Sequence, residues 1–340
     1  MNIQPLAGFN HFYTHHCVTG SMAEVYHFNH HPLTEEMLLG LGEGVGYIYW
    51  QQKGAPPFMG GRSQPKPSME ALAAQRTGVK LGSHSTSSSR KAKKTLLEML
   101  NSGQPVMLQV DMGFLPYFDF GGTEYHFGGH TVVACGYDET TDTVLISERD
   151  GLYPVPMADL AKARNSKFKP FPPKNRWLTF DFSEKRQPLP EELHTAVHNM
   201  ATLMLEPPIS NFGVKGIRKT AVMLPKWPEQ LTADELKWAL FNAYIFVSAV
   251  GGSGGGMFRY MLSRFLCETA VILQDTRFED TARAFKTIGD AWEAFANWSK
   301  QTSEAENPAA HLTECVAPLQ RLADMEAQAW TELKKLLEKV

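Results

Sequence analysis

One cysteine near the start of this chain has the surroundings of a nucleophile. In Thr14-His-His-Cys17-Val-Thr-Gly-Ser-Met-Ala-Glu-Val-Tyr26, the apolar Val18, Met22, Val25 and Tyr26 recur at i, i+4, i+7 and i+8, which is one face of a helix. Thr14 can serve as its N-cap, placing Cys17 in the first turn. There the unpaired amides and the positive end of the helix dipole favour thiolate over thiol. A thiolate is what covalent catalysis by cysteine requires. The competing reading of a single cysteine is a small buried hydrophobe. The helix start and the two adjacent histidines favour the nucleophile.

A nucleophilic cysteine needs a base, and His130 in Gly128-Gly-His-Thr-Val-Val-Ala-Cys-Gly-Tyr-Asp138 is the best candidate. The residues after it read as a strand, Asp138–Asp142 as a turn and Thr143–Glu148 as the returning strand. Opposing residues of a hairpin have a constant index sum, so a turn centred on 139 sets His130 against Glu148, and one centred on 140 sets it against Asp150. Either carboxylate could orient the ring. The plainer reading is a hairpin-edge histidine with an incidental acidic neighbour. Cys135 falls on the opposite strand face from His130 and reads as core, as do Cys267 and Cys315 within helical apolar patterns. Asp111, at a strand end before Gly113, suits either a substrate ammonium or strand-end solvation.

The elements that must hold these groups follow from composition. The chain has 340 residues, 43% of them hydrophobic and 20% charged, which fits one large or two ordinary globular domains. With 33 Lys and Arg against 36 Asp and Glu, there is no global basic excess for nucleic acid. The N-terminus lacks the pattern of a signal peptide, the longest apolar stretch is broken by Asn242 and Ser248, and four scattered cysteines fit a reducing cytoplasm. The expectation is a cytoplasmic protein with no membrane span. β-type runs at Pro105–Met112, His130–Asp138 and Thr143–Glu148 give way near residue 185 to helical periodicity over 231–250, 257–274, 277–302 and 312–340. The expected architecture is an α+β domain over 1–185 and a helical domain over 186–340. Residues 167–190 hold five prolines and read partly as linker, with Arg176–Phe182 as one more strand.

Gln51–Ser68 and Ser83–Lys94 read as exposed loops, the second ending in Arg90-Lys-Ala-Lys-Lys94. That cluster is either a solvated helix start or a docking patch for an acidic protein. Six of the twelve histidines lie in the first 31 residues, but with Glu24 as the sole acid among them and no H-E-x-x-H, no metal site is expected. The Gly251-Gly-Ser-Gly-Gly-Gly256 run lacks the Lys-Ser or Lys-Thr of a phosphate loop. It reads as a gap between helices where backbone or ligand comes close.

Several motifs in one order resemble the butirosin-biosynthesis protein H family. They are His16-Cys17, Pro32-Leu-Thr-Glu-Glu-Met-Leu-Leu-Gly-Leu-Gly-Glu-Gly-Val-Gly46, Pro105–Asp111 with Leu115-Pro-Tyr117, and Gly129-His130 to Gly136-Tyr-Asp138. Gly251–Arg259 and Phe265-Leu-Cys-Glu268 resemble the helical domain that accompanies it. The resemblance implies a papain-like, bacteriocin-peptidase-like first domain, with Cys17 as nucleophile and His130 as base, covered at its cleft by an all-α domain. It implies transfer of an acyl group from a phosphopantetheine thioester on an acyl carrier protein to an amine of a small-molecule acceptor, in antibiotic biosynthesis, with no bound cofactor and no metal. Where the family typically has an aspartate at the end of the returning strand, this chain has Glu148, with Asp150 two residues on, so the third member stays open between them.

The expected site adds the Cys17 amide and Asn10 as oxyanion donors, and His16, Asp111, Tyr117, Phe258 and Arg259 along the substrate path, with a helix–helix salt bridge as the equal reading of Arg259. A cysteine peptidase or amidase using the same triad and an inactive binding module with a structural Cys17 are the alternatives. The long amphipathic C-terminal helices leave a homodimer open.

Overall fold

The computed structural model describes residues 3–52, 55–63, 65–122 and 124–337; the last three residues of the expected final helix lie outside them. In chain order the elements are α1 (Cys17–Phe28), α2 (Glu35–Leu41), β1 (Val45–Gln52), β2 (Ala55–Arg62), α3 (Met69–Arg76), β3 (Lys80–His84), α4 (Ser89–Asn101), β4 (Val106–Val110), β5 (His130–Asp138), β6 (Thr143–Glu148), β7 (Gly151–Pro156), α5 (Met157–Asn165) and β8 (Trp177–Asp181). The helical stretch continues with α6 (Pro190–Leu205), α7 (Gly213–Met223), α8 (Ala233–Val247), α9 (Arg259–Leu273), α10 (Arg277–Glu304) and α11 (Val316–Leu337). The architecture is mixed α+β with a helical C-terminal region.

Packing divides the chain into two compact units, one of residues up to Leu38 with Thr77–Gln187, the other of Leu39–Arg76 with the chain from Pro188 on. Leu39–Arg76, placed in the first domain by a linear division at 185, therefore belongs to the second unit. The cause is visible in its partners: Tyr47 stacks on Trp292 and its hydroxyl bonds Thr220 at 2.5 Å, while the Gly46 carbonyl accepts from Arg259.

In the first unit, the strands of an antiparallel sheet run in the order β3-β8-β4-β5-β6-β7. Its central strands are buried on both faces, which explains their near-continuous apolar sequence. On one face Leu108, Val110, Val132, Ala134 and Ile146 pack with Leu96 and Leu100 of α4 and Leu160 of α5. On the other, Val133, Cys135 and Leu145 meet Val25 of α1 and Phe9. Each of the Leu, Val, Ile and Phe side chains among them contributes roughly 1.5–3 kcal/mol by burial. The β5–β6 pairing carries a bulge between Ala134 and Gly136, and a Cβ at Gly136 would lie 2.6 Å from the Gln4 carbonyl, so a side chain there would force the strand off.

The second unit corrects one loop expectation. Gln51–Ser68 is mostly the β-hairpin of β1 and β2. Pro56 and Pro57 both lie in β2, which among the described residues pairs with β1 alone and so tolerates missing donors on its open side. In the glycine run, Gly252, Gly254, Gly255 and Gly256 all have positive φ, and a Cβ at Gly256 would lie 2.7 Å from Gly289 of α10. The run is thus a close backbone crossing between α8 and α9. Cys315 is buried, and burial pushes its thiol up to about 12. Cys267, expected in the core, is exposed: it lies off the stripe of Met261, Leu262, Phe265, Leu266 and Ala270 that α9 buries. Among the described residues no helix is long and apolar enough to cross a membrane.

Candidate active site

The helix that presents Cys17 begins at that residue, with His16 as its N-cap; the Thr19 amide donates to His16 Nδ1 at 3.4 Å. Thr14 does not cap it. Its amide donates to the Arg149 carbonyl at 2.8 Å, and its side chain fills the space over Gly20, where a Cβ would collide with it. The turn leading into the helix is held by an acid the sequence reading passed over. Glu35 accepts from the amides of His15 (2.7 Å) and His16 (3.0 Å) and from the Thr19 hydroxyl (3.2 Å). Burial pushes Glu35 up to about 7 although those bonds favour its ionised form. No spacing rule could have flagged it, because it lies one helix further on.

Cys17, half-buried, is hydrogen-bonded through its thiol to the His130 imidazole. His130 opens β5 opposite Val110, is 4% exposed, and places Nε2 2.6 Å from Glu148 Oε2. That contact leaves Nδ1 for the thiol. Phe118 packs edge-on against the ring at 5.6 Å. Burial disfavours the imidazolium, but the Glu148 charge and the hydrogen bonds to Cys17 and Glu148 outweigh it and push His130 up to about 10. Burial likewise opposes the Glu148 carboxylate. His130 and then Arg149 nevertheless hold it below the usual range.

The two carboxylates left open by hairpin arithmetic are separated here. Near the site the register sums to 280 (Val133 with Ser147, Ala134 with Ile146), which extrapolates to Asp150 opposite His130. But β6 stops at Glu148, which already pairs with Gly151 of β7, so the strand turns away before Asp150 is reached. Asp150 accepts instead from the Tyr153 hydroxyl at 3.2 Å. The Glu148 carboxylate is fully engaged: besides His130 it accepts from the Arg149 amide (2.9 Å) and the Tyr117 hydroxyl (3.3 Å), and Tyr117 is stacked on Tyr153 at 4.3 Å.

A narrow cavity beside Cys17 is lined by Thr14, Ser21, Glu24, Thr131, Ser147, Glu148 and Arg149. Glu24, one face of α1 below the thiol, accepts from Ser147 Oγ at 2.7 Å and bonds His11 Nδ1 at 2.9 Å. Burial pushes it up to about 8, against the bonds from Ser147 and the Phe12 backbone.

The remaining expected site residues have other partners. Asp111 is fully buried and its oxygens are taken by the amides of Gly113 (3.1 Å) and Phe127 (3.0 Å), His126 Nδ1 (3.0 Å) and Ser166 Oγ (2.5 Å). It ties the β4 end to two loops and has no lone pair directed at a substrate ammonium. Asn10 is exposed and donates to the Gly8 carbonyl at 3.4 Å, away from the residues that line the Cys17 cavity. Arg259 is completely buried in the second unit, paired with Glu326 at 2.7 Å and bonded to the Gly46 and Met257 carbonyls. Such a cation is spent on the helical core. Phe258, beside it, is also buried and sits in the left-handed region with φ 68°. The early histidines scatter: His31 stacks on Tyr26, His27 meets Phe12 with the two rings tilted, and His11 bonds Glu24. Among the described residues no group of three or more His, Cys, Asp or Glu could hold a metal ion.

Residues 16–149 match the family described as butirosin biosynthesis protein H, N-terminal, and residues 158–333 match a domain of unknown function, DUF4872. A search of curated proteins gives no match. The second match spans more than half of the chain and begins inside the first compact unit, just after β7. Because the two follow one another without overlap, with Cys17, His130 and Glu148 all inside the first, the chain belongs to the butirosin-biosynthesis-protein-H-like family and carries a DUF4872 domain as its C-terminal part.

Proposed function

We propose that the chain is a cysteine-dependent acyltransferase of papain-like arrangement, working in the biosynthesis of an antibiotic-type metabolite. The observation that carries this is the continuous relay from the first residue of α1 through the His130 ring to Glu148. A helix that opens with cysteine and packs on an antiparallel sheet carrying the base and its acid supports the papain-like reading.

In this mechanism the Cys17 thiolate attacks the carbonyl of an acyl thioester, and the Cys17 amide faces the oxyanion. The donor thiol leaves with the proton carried by His130, and a Cys17 thioester remains. An amine of a small-molecule acceptor then attacks, His130 takes its proton, and the amide product departs as the thiolate is restored. Glu148 keeps the ring oriented and stabilises the imidazolium in both halves. The donor best suited to this sequence is a phosphopantetheine thioester on an acyl carrier protein, and no bound cofactor is needed.

Incubation with an acyl pantetheine thioester should add one acyl mass to the wild-type chain and none to Cys17→Ala. Loss of the adduct should be much faster with an amine than in buffer alone. An adduct that water removes as fast as amines do assigns the chain to the hydrolases instead, and absence of any adduct rejects covalent catalysis.

A further inference from the structure

Positive charge is distributed very unevenly in a chain with a net charge of -3. Eleven of its 33 Lys and Arg fall in residues 80–94 and 162–176, and those two segments contain no Asp or Glu. The fold brings them together. The Thr86 amide donates to the Lys174 carbonyl, Asn175 Nδ2 to the Thr86 carbonyl, and Arg176 Nε to Ser83 Oγ at 3.1 Å. Between them runs a groove lined by Ser83, His84, Gln109, Lys174 and Arg176 and walled by Pro170–Pro173. Arg90, Lys91, Lys169 and Lys174 are exposed, and among the described residues none has an acidic partner, unlike Lys93, Lys94 and Lys162. Phe168 and Phe171 stand 44% and 46% exposed beside them, the mixture of cation and aromatic surface found where proteins dock.

The register fixes which end of the sheet this face occupies. His84 ends β3, Trp177 begins β8, and Val110 ends β4 opposite His130, so the groove and the histidine share one sheet end. Gln109 ties them, donating to the Gly128 carbonyl at 2.7 Å, and a Cβ at Gly128 would overlap the Phe171 carbonyl. From β8 to β5 is two strand spacings, about 10 Å.

We propose that this basic face docks an acidic acyl carrier protein, so that the donor's flexible prosthetic arm enters at the His130 end of the sheet. The inference rests on the acyl-transfer reading above and adds a location for the donor protein. Charge complementarity chooses the partner: a compact acidic protein gains both steering and orientation from four unpaired cations around aromatic contacts.

The test compares two donors, an acidic acyl carrier protein bearing an octanoyl-phosphopantetheine arm and octanoyl-pantetheine alone. In the full chain, Lys169→Glu with Lys174→Glu, and separately Arg90→Glu with Lys91→Glu, should slow Cys17 acylation from the carrier by roughly ten- to a hundredfold at low salt. Acylation from octanoyl-pantetheine should stay unchanged, which also shows that the variants fold. Lys286→Glu with Lys300→Glu, on the second unit, should alter neither. If the wild type is acylated by octanoyl-pantetheine but its carrier-dependent rate ignores both charge reversals, the docking surface is wrong and the chemistry stands. If neither donor acylates the wild type, the acyl-transfer reading falls and the surface with it. Loss of duplex-DNA binding in the variants, with carrier-dependent acylation intact, would reassign the face to nucleic acid.

Discussion

Each compact unit contains a buried ion pair, and the two are built for opposite ends. In the second unit Arg259 and Glu326 are both fully buried, and Glu326 also accepts from the indoles of Trp292 (2.8 Å) and Trp330 (2.7 Å). The pair ties α9, α10 and α11 together at one point. In the first unit His130 and Glu148 are almost as buried, but the pair's open side is a thiol at a helix start and a cavity. A buried charge whose partners are all structural locks a core. One whose last partner is a thiol beside a cavity suits the proton transfer proposed above.

The sharpest break of that comparison is Cys17→Ala. It should lower acyl transfer by at least about a thousandfold, read as the rate of amide formation, while the thermal midpoint moves little because the thiol is only half-buried. Cys135→Ser should do the reverse, placing a hydroxyl among Val133, Leu145 and Val25 while acyl transfer per folded molecule persists. On the other side, Arg259→Met leaves the Glu326 charge without its cation inside a closed core and should cost about 3–5 kcal/mol in denaturant unfolding. A cost below 1 kcal/mol would mean that the tryptophan indoles alone satisfy Glu326, and the pair would lose its structural meaning.

These two pairs also mark how far the sequence could be read. Cys17, His130 and the strand that returns to Glu148 were legible because local periodicity fixes a helix start and a hairpin, and the site is built from those two pieces. The choice between Glu148 and Asp150 was not, since it depends on a bulge at Ala134–Gly136 and on where β6 turns into β7. Arg259 stayed open between the substrate path and a helix–helix salt bridge for a related reason: its partner Glu326 lies 67 residues away, and nothing local distinguishes a charge that meets a helix from one that meets a ligand. Leu39–Arg76 departs from the linear domain division because its partners, Trp292, Thr220 and Arg259, come from the far end of the chain. For the same reason a truncation after Arg186 would strand Leu39–Arg76 without its core.

Within the first unit the contrast sharpens between neighbours two residues apart. Glu148→Gln removes the charge that offsets burial of the His130 imidazolium, so the ring's pKa should fall and acyl transfer should drop by roughly ten- to a hundredfold. Asp150→Asn, which alters a partner of Tyr153 and no hydrogen bond of the His130 ring, should stay within about threefold. The pH–rate profile separates a positioning effect from simple damage, because only Glu148→Gln should move the His130 limb to lower pH. Equal losses in the two variants would return the third position of the relay to dispute.

The smallest effect comes from Glu24, the buried carboxyl behind Cys17. Its pKa is raised from 4.5 to about 8, burial being the largest cause, so the folded state holds this proton more tightly than the unfolded chain does. The sign follows directly: the proton's contribution to stability is complete below about 4.5, declines as pH rises through the folded value near 8, and is gone above it. Glu24→Gln keeps an oxygen for Ser147 Oγ and removes the titration, so the variant should gain on the wild type as pH rises from 5 to 9, by a few kcal/mol at most given roughly 1.4 kcal/mol per pKa unit. Glu35, raised to about 7 in the same direction, is present in both proteins, and its charge is one of the smaller causes that raise Glu24. Thermal midpoints of the two proteins, measured at one-unit pH steps, decide the matter. Parallel curves would mean that Glu24 ionises as readily folded as unfolded, and that the cavity beside Cys17 holds enough water to carry its charge.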